Sequence, residues 1–242
     1  MRVAVLSDIH ANLVALDAVL RDAGTVDAIW HLGDVVGYGP DPDGVVARLA
    51  AAGAVGVTGN HDRAAAGGRE IDWFNPDAKA AMQWTRGRIS ETTASWLGAL
   101  PERRTEGETL SVHGSPRDPI WEYITSAAIA RASLDTMTTP LGLHGHTHIP
   151  MAWVDRGERV DAVAPRAGST IHLGDGKERV LLNPGSVGQP RDGDPRASWL
   201  ELDLDAGSGT WHRVAYDIGA VQSAMRDAGL PIRLVERLRH GI

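Results

Sequence analysis

The fold is decided by residues 1–10, whose sequence is MRVAVLSDIH. Residues 3–6 form a continuous apolar run, which is typical of a strand buried on both faces in a parallel sheet. Apolar residues then recur at helical spacing behind Asn12 until Gly24, which predicts that a helix follows. The stretch therefore predicts a β-turn-α unit in which Asp8 and His10 lie just beyond the end of the strand.

Two further units of the same kind follow along the chain. Residues 28–32 are a second apolar run and end in Gly33-Asp34. Residues 54–58 are a third run and end in Gly59-Asn60-His61-Asp62. Ligands of open α/β sheets bind at the carboxyl ends of the strands. The acidic and imidazole side chains after these strands therefore predict a site at that edge.

The same patterns predict the remaining elements. Helices are expected at residues 44–52, 77–88, 91–100, 126–135, 219–228 and 232–240. Short strands are expected at residues 109–112, 141–143, 151–154, 159–163, 170–173, 179–182, 198–203 and 211–214. We interpret residues 63–100, approximately, as a helical insertion that covers one side of the site. The strands of the second half are expected to form a second, partly antiparallel sheet.

The chain has no linker and no low-complexity segment, so residues 1–242 are predicted to form a single α/β domain. Since there are eight Trp and one Phe, we expect Trp73, Trp84 and Trp96 to supply the apolar bulk that Phe normally provides. Residues 232–240 carry an apolar stripe that could pack on a partner or on the chain's own core, which leaves the oligomeric state open.

Composition narrows the functional classes. Ten His and no Cys among 242 residues exclude disulfides, thiolate zinc sites and cysteine nucleophiles, so a metal would be held by imidazole and oxygen. A formal net charge of −7, without a dense Lys/Arg cluster, argues against stable nucleic-acid binding. No apolar run is long enough to span a membrane, and the N-terminal run is too short for a signal peptide. A cytoplasmic protein is therefore predicted, with no membrane partner.

Seven side chains that follow apolar strands could form a cage for metal ions. They are Asp8, His10, Asp34, Asn60, His113, His146 and His148. All are nitrogen or oxygen donors of the kinds that suit Mn, Fe, Zn, Ni or Co. In strand or extended-turn geometry residues i and i+2 point the same way, so each Asp-x-His or His-x-His pair can offer two donors to one site. Taken singly, Asp34 and Asn60 are better explained as turn residues, and only the convergence of all seven favours a metal site.

Five short blocks resemble, in this order, those of the calcineurin-like metallophosphoesterase superfamily. The blocks are Asp8-Ile9-His10, Gly33-Asp34, Gly59-Asn60-His61-Asp62, Val112-His113 and Gly145-His146-Thr147-His148. One block alone is weak evidence because Gly-Asp is a common pair, whereas five blocks in order are strong evidence. Two longer strings, at residues 33–40 and 183–190, resemble the small prokaryotic, phosphodiesterase-type branch of that superfamily.

The resemblance implies an α/β fold of two facing mixed β-sheets flanked by helices, which is a four-layer sandwich. It also implies two divalent metal ions. Asp8, His10 and His148 would hold the first ion, Asn60, His113 and His146 would hold the second, and the Asp34 carboxylate would bridge both. The two ions would share a hydroxide and clamp the phosphoryl oxygens for in-line displacement.

The resemblance further implies catalytic roles for His61 and Asp62, which follow Asn60. His61 would donate a hydrogen bond to a phosphoryl oxygen and protonate the leaving group. Asp62 would orient the His61 imidazole and stabilise its cationic form.

The expected function is that of a dinuclear metal-dependent phosphoester hydrolase, with a phosphodiesterase as the first choice. A phosphomonoesterase or phosphoprotein phosphatase is the alternative, and a dinucleoside polyphosphate hydrolase is a third. A protein-binding scaffold without activity is disfavoured, because every ligand of the pattern and His61 are present. The expected substrate is a small phosphorylated molecule, with nucleotides among the candidates.

The roles of several residues near the blocks can be interpreted in two ways. Arg63, Arg117 and Arg191 could pair with a phosphate, although solvation at the surface is the commoner fate of an arginine. Tyr38 could stack on a base or belong to a rigid turn, and residues 183–186 are expected to shape a loop near the site. The remaining histidines are expected to be packed in the core or exposed at the surface: His31, His144, His172, His212 and His240.

Overall fold

The computed structural model describes residues 1–173 and 178–242. The strands are β1 (Arg2–Leu6), β2 (Ala28–His31), β3 (Val55–Gly56), β4 (Arg103–Glu106), β5 (Thr109–Val112), β6 (Leu141–Leu143), β7 (Met151–Asp155), β8 (Val160–Val163), β9 (Thr170–His172), β10 (Val180–Asn183), β11 (Ala197–Asp203) and β12 (Ser208–Val214). The helices are α1 (Leu13–Ala23), α2 (Pro42–Ala51), α3 (Asn60–Ala65), α4 (Pro76–Arg86), α5 (Glu91–Gly98), α6 (Ala127–Leu134), α7 (Ile218–Asp227) and α8 (Ile232–Arg237). Short 3-10 helices lie at Arg69–Trp73 and Leu238–His240.

The first sheet has the strand order β3-β2-β1-β11-β12-β9. β1, β2 and β3 are parallel neighbours, as the three β-turn-α units predict, so their carboxyl ends meet at one edge. β11 pairs antiparallel with β1, with Leu200 opposite Val5. The prediction that the second half forms a sheet of its own is therefore wrong for β9, β11 and β12. β1 is buried, and the backbone groups on its second edge need hydrogen-bond partners, which β11 supplies.

The second sheet has the strand order β4-β5-β6-β10-β7-β8. β5, β6 and β10 are parallel, whereas β4, β7 and β8 pair antiparallel with their neighbours. β4 was not predicted, because its sequence Arg-Arg-Thr-Glu is largely exposed and has no apolar alternation. β5 and β6 end at the same edge, and so they carry the later blocks of the sequence to one place.

The two sheets face each other across an apolar core, and helices cover their outer faces. Val3 and Val5 of β1 pack with Leu143 and Leu182 of the second sheet. Ala4 and Leu6 alternate with them, as the strand period requires, and belong to a cluster with residues of α1 and α2. On the far side, α6 packs with residues of β7 and β10. The chain thus has the four-layer α/β architecture that the resemblance implies.

The predicted roles of the apolar residues outside the sheets are partly corrected. Trp73 is 71% exposed, so the prediction that it supplies core bulk is wrong. It ends a 3-10 helix and contacts Trp121 edge-on, with ring centroids 5.1 Å apart. Trp84 and Trp96 are partly buried against core clusters. Between residues 60 and 98 the chain forms α3, a 3-10 helix, α4 and α5.

The C-terminal stripe packs against its own chain. Leu234, Val235 and Leu238 are buried together with Val221 and Met225 of α7. Within residues 1–173 and 178–242, no helix is long and apolar enough to span a membrane.

Candidate metal centre

The fold brings all seven predicted ligands to the carboxyl ends of the parallel strands. Each is at most 4% exposed. The side chains form two groups, and within each group the potential ligand atoms all lie within 4.8 Å of one another. The first group is Asp8, His10, Asp34 and His148, and the second is Asp34, His113 and His146. Asp34 is therefore shared by the two groups.

Short distances connect the two groups through Asp34 and His113. Asp34 Oδ2 lies 3.7 Å from His10 Nε2 and 3.4 Å from His113 Nε2. His148 Nε2 lies 3.3 Å from Asp8 Oδ1 in the first group. The Asn60 amide oxygen lies 3.1 Å from His113 Nε2, which adds Asn60 to the second group.

The backbone at these positions is left-handed rather than extended. The φ angles of Asp8, His10, Asp34, His146 and His148 lie between 49° and 66°. The prediction that the paired residues sit in strand or extended-turn geometry is therefore wrong. Such angles cost a non-glycine residue about 1–3 kcal/mol, and they cluster at functional sites where the surrounding structure enforces them.

Two glycines of the blocks are needed because other groups approach them closely. A Cβ added to Gly59 would lie 2.1 Å from Asp34 Oδ1, and one added to Gly145 would lie 1.9 Å from Ser7 Oγ. The loop after β3 therefore lies directly against the loop after β2, and the loop after β6 lies directly against the loop after β1. The glycines of the blocks thus allow the close approach that brings Asp34 and Asp8 into the cluster.

Three histidines are oriented by backbone carbonyls. The Nδ1 atoms of His10, His113 and His148 donate to the carbonyl oxygens of Val36, Leu32 and Gln189 at 3.1, 2.8 and 2.6 Å. A carbonyl only accepts, so Nδ1 carries the proton and, in the neutral ring, Nε2 presents a lone pair. In all three rings Nε2 faces the cluster, which is the arrangement that metal-ligating histidines commonly adopt.

The electrostatics of the cluster favour a cation. Burial raises the pKa of Asp8 to about 7. Burial also disfavours the charged form of Asp34, but the neighbouring histidines, His113 foremost and then His61 and His10, together hold the pKa of Asp34 well below its usual range. Burial opposes charge on His113 as well, yet the Asp34 carboxylate raises the pKa of His113 to about 9. The buried Asp8 Oδ1 has no hydrogen-bond partner among the described residues, and His146 Nδ1 lies 3.0 Å from His113 Nε2 within the second group. An unpartnered carboxylate oxygen and closely spaced imidazole nitrogens beside a carboxylate that attracts positive charge fit bound divalent cations.

His61 lies beside the first group. Its ring centroid is 4.9 Å from that of His10 and 4.5 Å from that of Tyr38, and the ring stacks on Phe74 at 4.6 Å. Burial lowers the pKa of His61 to about 4. The imidazole is therefore neutral at pH 7 in this structure.

Asp62 is not placed as the sequence suggests. Its carboxylate accepts hydrogen bonds from the backbone N–H groups of Val36 and Gly59, at 3.1 and 3.0 Å. The expectation that Asp62 orients the His61 imidazole is corrected by these contacts. Asp62 is the third residue of α3, and at that position a carboxylate turns back onto the free N–H groups of the helix start.

Aromatic rings cover the side of the cluster near His61 and His146. Tyr123 stacks on His146 with ring centroids 3.7 Å apart and an interplanar angle of 17°. Phe74 stacks on His61 and lies 6.1 Å from Trp121, and Trp121 in turn contacts Trp73. We call Trp73, Phe74, Trp121 and Tyr123 the aromatic wall. It was not predicted from the sequence, because it joins two loops that are about 50 residues apart.

The arginines near the blocks differ in their surroundings. Arg63 pairs with Glu102, and Arg117 pairs with Glu122. Arg191 lies at the cluster, and its backbone N–H donates to the carbonyl oxygen of His148 at 3.3 Å.

Residues 183–186 hold the loops that carry ligands, which agrees with the expected loop-shaping role. The Asn183 amide donates to the Gly145 carbonyl at 2.8 Å, and the Ser186 hydroxyl donates to the Asp8 carbonyl at 2.7 Å.

The remaining histidines lie outside the two groups. His31 and His144 are fully buried, and burial lowers their pKa values to about 4 and about 3. His172 and His240 are exposed, and His212 stacks on Trp199 with ring centroids 4.3 Å apart. None of the five belongs to a potential ligand group among the residues described.

Known proteins resemble this chain along its length. The calcineurin-like phosphoesterase superfamily domain matches residues 1–207. An uncharacterized protein of Methanocaldococcus jannaschii is 35% identical over 98% of this chain and 96% of its own length. The structure of a metallophosphoesterase from Sphaerobacter thermophilus is similar with a TM-score of 0.92 and 46% identity, and all of both chains is covered. A hypothetical protein from Pyrococcus horikoshii shares the fold with a TM-score of 0.79 and 21% identity, over 100% of this chain and 98% of that one.

Proposed function

The chain belongs to the calcineurin-like phosphoesterase superfamily and is a metal-dependent phosphoester hydrolase, and on this premise we propose that it is a phosphodiesterase. The proposed substrates are small organic phosphodiesters, nucleotide-like ones included. The buried cluster of Asp and His side chains is the reaction centre of this proposal.

The aromatic wall is the observation that carries the choice of a diester. Tyr123 and Phe74 stack directly on His146 and His61, so apolar surface begins at the edge of the cluster. A diester presents two organic groups around phosphorus, and one of them would contact this surface while the other leaves. Stacking of an aromatic group on such rings contributes about 1–3 kcal/mol. A monoester, which has no second organic group besides its leaving group, does not gain this stabilisation.

In this proposal two divalent ions, of Mn, Fe, Zn, Ni or Co, occupy the two groups. Asp8, His10 and His148 would hold the first ion, Asn60, His113 and His146 would hold the second, and Asp34 would contribute to both. Asp8 Oδ1, which has no hydrogen-bond partner among the described residues, and His146 Nδ1, which lies 3.0 Å from His113 Nε2, fit such roles. When bound, the ions supply Lewis-acid stabilisation of the phosphoryl oxygens and activation of the attacking water.

The chain's own groups supply position and hydrogen bonds. The carbonyls that accept from His10, His113 and His148 fix the ligand rings, so little reorganisation is needed during reaction. We assign His61 the donation of a hydrogen bond from its neutral ring to a phosphoryl or leaving-group oxygen. Asp62 contributes by holding the start of α3, and thereby His61, against the loop after β2.

The test compares one set of substrates on the Mn-loaded protein. Bis-p-nitrophenyl phosphate, p-nitrophenyl phosphate, cyclic nucleotides and diadenosine tetraphosphate are assayed for kcat/KM. We expect the diester bis-p-nitrophenyl phosphate to exceed the monoester by at least about tenfold, which corresponds to about 1.4 kcal/mol of transition-state stabilisation. Faster hydrolysis of the monoester would favour a phosphomonoesterase and overturn the proposal.

Variants at Tyr123 test whether the aromatic wall is the cause. Tyr123 is 46% exposed, so replacing it should leave the fold intact. Tyr123→Ala should reduce kcat/KM for the diester about tenfold and for the monoester much less, whereas Tyr123→Phe, which keeps the ring, should behave as the wild type. Equal losses on both substrates would remove the aromatic wall as the basis for choosing a diester.

A further inference from the structure

Two arginines lie side by side next to the metal centre. Arg191 and Arg237 both donate from Nη2 to the side-chain oxygen of Gln189, at 3.3 Å from Arg191 and through a short contact from Arg237. Gln189 is 2% exposed, and its backbone N–H donates to the Ser186 hydroxyl at 2.8 Å. One fixed amide oxygen therefore holds two guanidinium groups of like charge together. We call Arg191, Arg237 and Gln189 the arginine pair and its bridge.

Among the described residues, the arginine pair has no acidic partner of the kind that other arginines of the chain have. Arg117 and Arg131 form ion pairs with carboxylates, whereas no ion pair in the described part of the chain includes Arg191 or Arg237. The Nε atoms of both are buried and have no hydrogen-bond partner there. A buried donor without a partner on a charged group costs free energy. Burial lowers the pKa of Arg237 to about 10, and the positive charge of Arg191 contributes to this shift. Both observations point to a missing anion.

The arginine pair is tied directly to the metal centre. The Gln189 backbone carbonyl accepts from His148 Nδ1 at 2.6 Å, and the Arg191 N–H donates to the His148 carbonyl. The Arg237 guanidinium lies over the Tyr38 ring, 4.9 Å from its centroid. The Tyr38 ring also contacts the rings of His10 and His61, and both centroids lie 4.5 Å from that of Tyr38. An anion on the arginine pair would therefore lie close to a group bound at the cluster.

Arg237 comes from a part of the chain that carries no motif. It lies in α8, beyond residues 1–207 that match the superfamily domain. Arg237 and Tyr38 also line a cavity of about 740 Å³, together with Asn75, Asp77 and Leu234. A molecule that reached Arg237 would thus have space beyond it. The C-terminal segment thus adds both charge and volume beside the centre.

We propose that the arginine pair binds a second phosphoryl group of the substrate, next to the phosphoryl group that reacts at the metal centre. Planar guanidinium groups bind phosphate oxygens through paired, charge-assisted hydrogen bonds, and in the described part of the chain no carboxylate competes for Arg191 or Arg237. The inference rests on the proposed function and narrows it, since the substrate class becomes phosphoesters that carry a second phosphoryl group. Arg191 and Arg237 are specificity-determining residues in this proposal, and Gln189 is a positioning residue.

The test measures binding and does not depend on turnover. Inorganic pyrophosphate and inorganic phosphate are titrated into the Mn-loaded protein by calorimetry. The wild type is expected to bind pyrophosphate at least about tenfold more tightly than phosphate. Arg191→Gln and Arg237→Gln should each reduce that ratio about tenfold, because each removes a charged donor from the second phosphoryl group.

The chain offers a matched control in the same C-terminal segment. Arg239 Nη2 donates to the side-chain oxygen of Gln222 at 2.7 Å, which reproduces the arginine–glutamine contact away from the centre. Arg239→Gln should leave the ratio of the two dissociation constants unchanged. Arg237→Lys keeps the positive charge without the planar donors, and it should give an intermediate ratio. Thermal unfolding of each variant shows that it is folded, and if Arg237→Gln unfolds, Arg191→Gln on its separate loop makes the same comparison.

The outcomes separate this proposal from the proposed function. A ratio that stays at the wild-type value in folded Arg191→Gln and Arg237→Gln overturns the role of the arginine pair, whatever the protein hydrolyses. A ratio that falls in both variants supports it, even if the wild type hydrolyses no phosphodiester, in which case only the proposed function fails. An equal fall in Arg239→Gln would also overturn the proposal, since it would trace the effect to the net charge of the C-terminal segment.

Discussion

Replacing Asp34 by Asn tests whether one carboxylate serves both ligand groups. Asp34 Oδ1 accepts the N–H of His61 at 2.9 Å, and an Asn side-chain oxygen can keep that bond. Oδ2 faces His10 Nε2 at 3.7 Å and His113 Nε2 at 3.4 Å, inside both groups. Asp34→Asn therefore keeps the shape of the site and removes the negative charge on which both groups depend.

The expected magnitude follows from these distances. A unit charge 3.4 Å from the Asp34 oxygen interacts with it by about 5 kcal/mol at an effective dielectric constant near 20. Part of this energy is offset by the cost of burying the carboxylate, and breaking buried pairs costs about 3–5 kcal/mol. A loss of about 3 kcal/mol weakens binding more than roughly hundredfold. Asp34→Asn should thus lose both ions at Mn concentrations that saturate the wild type.

The assay is the metal content of dialysed protein, measured by mass spectrometry together with a Mn titration. Asp8→Asn is the comparison, because Asp8 belongs only to the first group, and it should keep about one ion. Asp155→Asn removes a carboxylate that is also buried but lies in β7 with Arg131 and Arg179, and it should keep both. Two ions bound to Asp34→Asn with near-wild-type affinity would refute the shared carboxylate, as would the same loss of both ions in Asp8→Asn.

Three further predictions address other parts of the molecule. His61→Ala should lower kcat about a hundredfold, which is the usual contribution of such a group, and leave the metal content unchanged; loss of metal with turnover would show that His61 is a ligand. Gly59→Ala places a Cβ 2.1 Å from Asp34 Oδ1, so it should destabilise the fold by about 1–3 kcal/mol and weaken Mn binding. Gly87→Ala is the control, because the nearest atom to its Cβ is 3.6 Å away, and it should change neither property. Chemical denaturation and Mn titration measure the two effects. Hydrogen bonds from Arg131 lower the pKa of Asp155 to about 2, although burial opposes this shift. The Asp155 carboxylate therefore stabilises the fold at pH values above its unfolded pKa near 3.9, and the stabilisation disappears as the pH falls towards 2. Urea titrations should therefore show Asp155→Asn less stable than the wild type by about 1 kcal/mol at pH 6 and nearly equal at pH 2, and a difference that does not depend on pH would contradict the assignment.

The sequence determined the elements whose signals are local. The apolar runs before Asp8, Asp34 and Asn60 predict three parallel strands, and these strands form β1, β2 and β3 in that order. The types of the seven side chains restrict the chemistry to nitrogen and oxygen ligands, and their positions after strands predict that they meet. Burial of an apolar run and the reversal of the chain after it depend on neighbouring residues, so both can be inferred from a short window of sequence.

The tertiary structure decided everything that depends on residues far apart in the chain. β11 pairs with β1 because the second edge of β1 needs a hydrogen-bond partner, and no feature of residues 197–203 alone indicates that position. Left-handed φ angles at Asp8, His10 and Asp34 oppose the intrinsic preference of these residues, and they persist because packing between loops outweighs the local cost. Asp62 caps α3 because that helix starts at Asn60, within a segment expected to be a turn.

Arg237 shows the same limit most clearly. It is separated from Gln189 by 48 positions and from His10 by far more, and no spacing connects it to the blocks. The donor types at the centre could be named from the sequence, since they follow from residue identity and from the end of a strand. Which groups contact those donors depends on how the sheets, the helical insertion and the C-terminal helices pack. Side-chain contacts are determined by the free energy of the whole fold and not by distance along the chain.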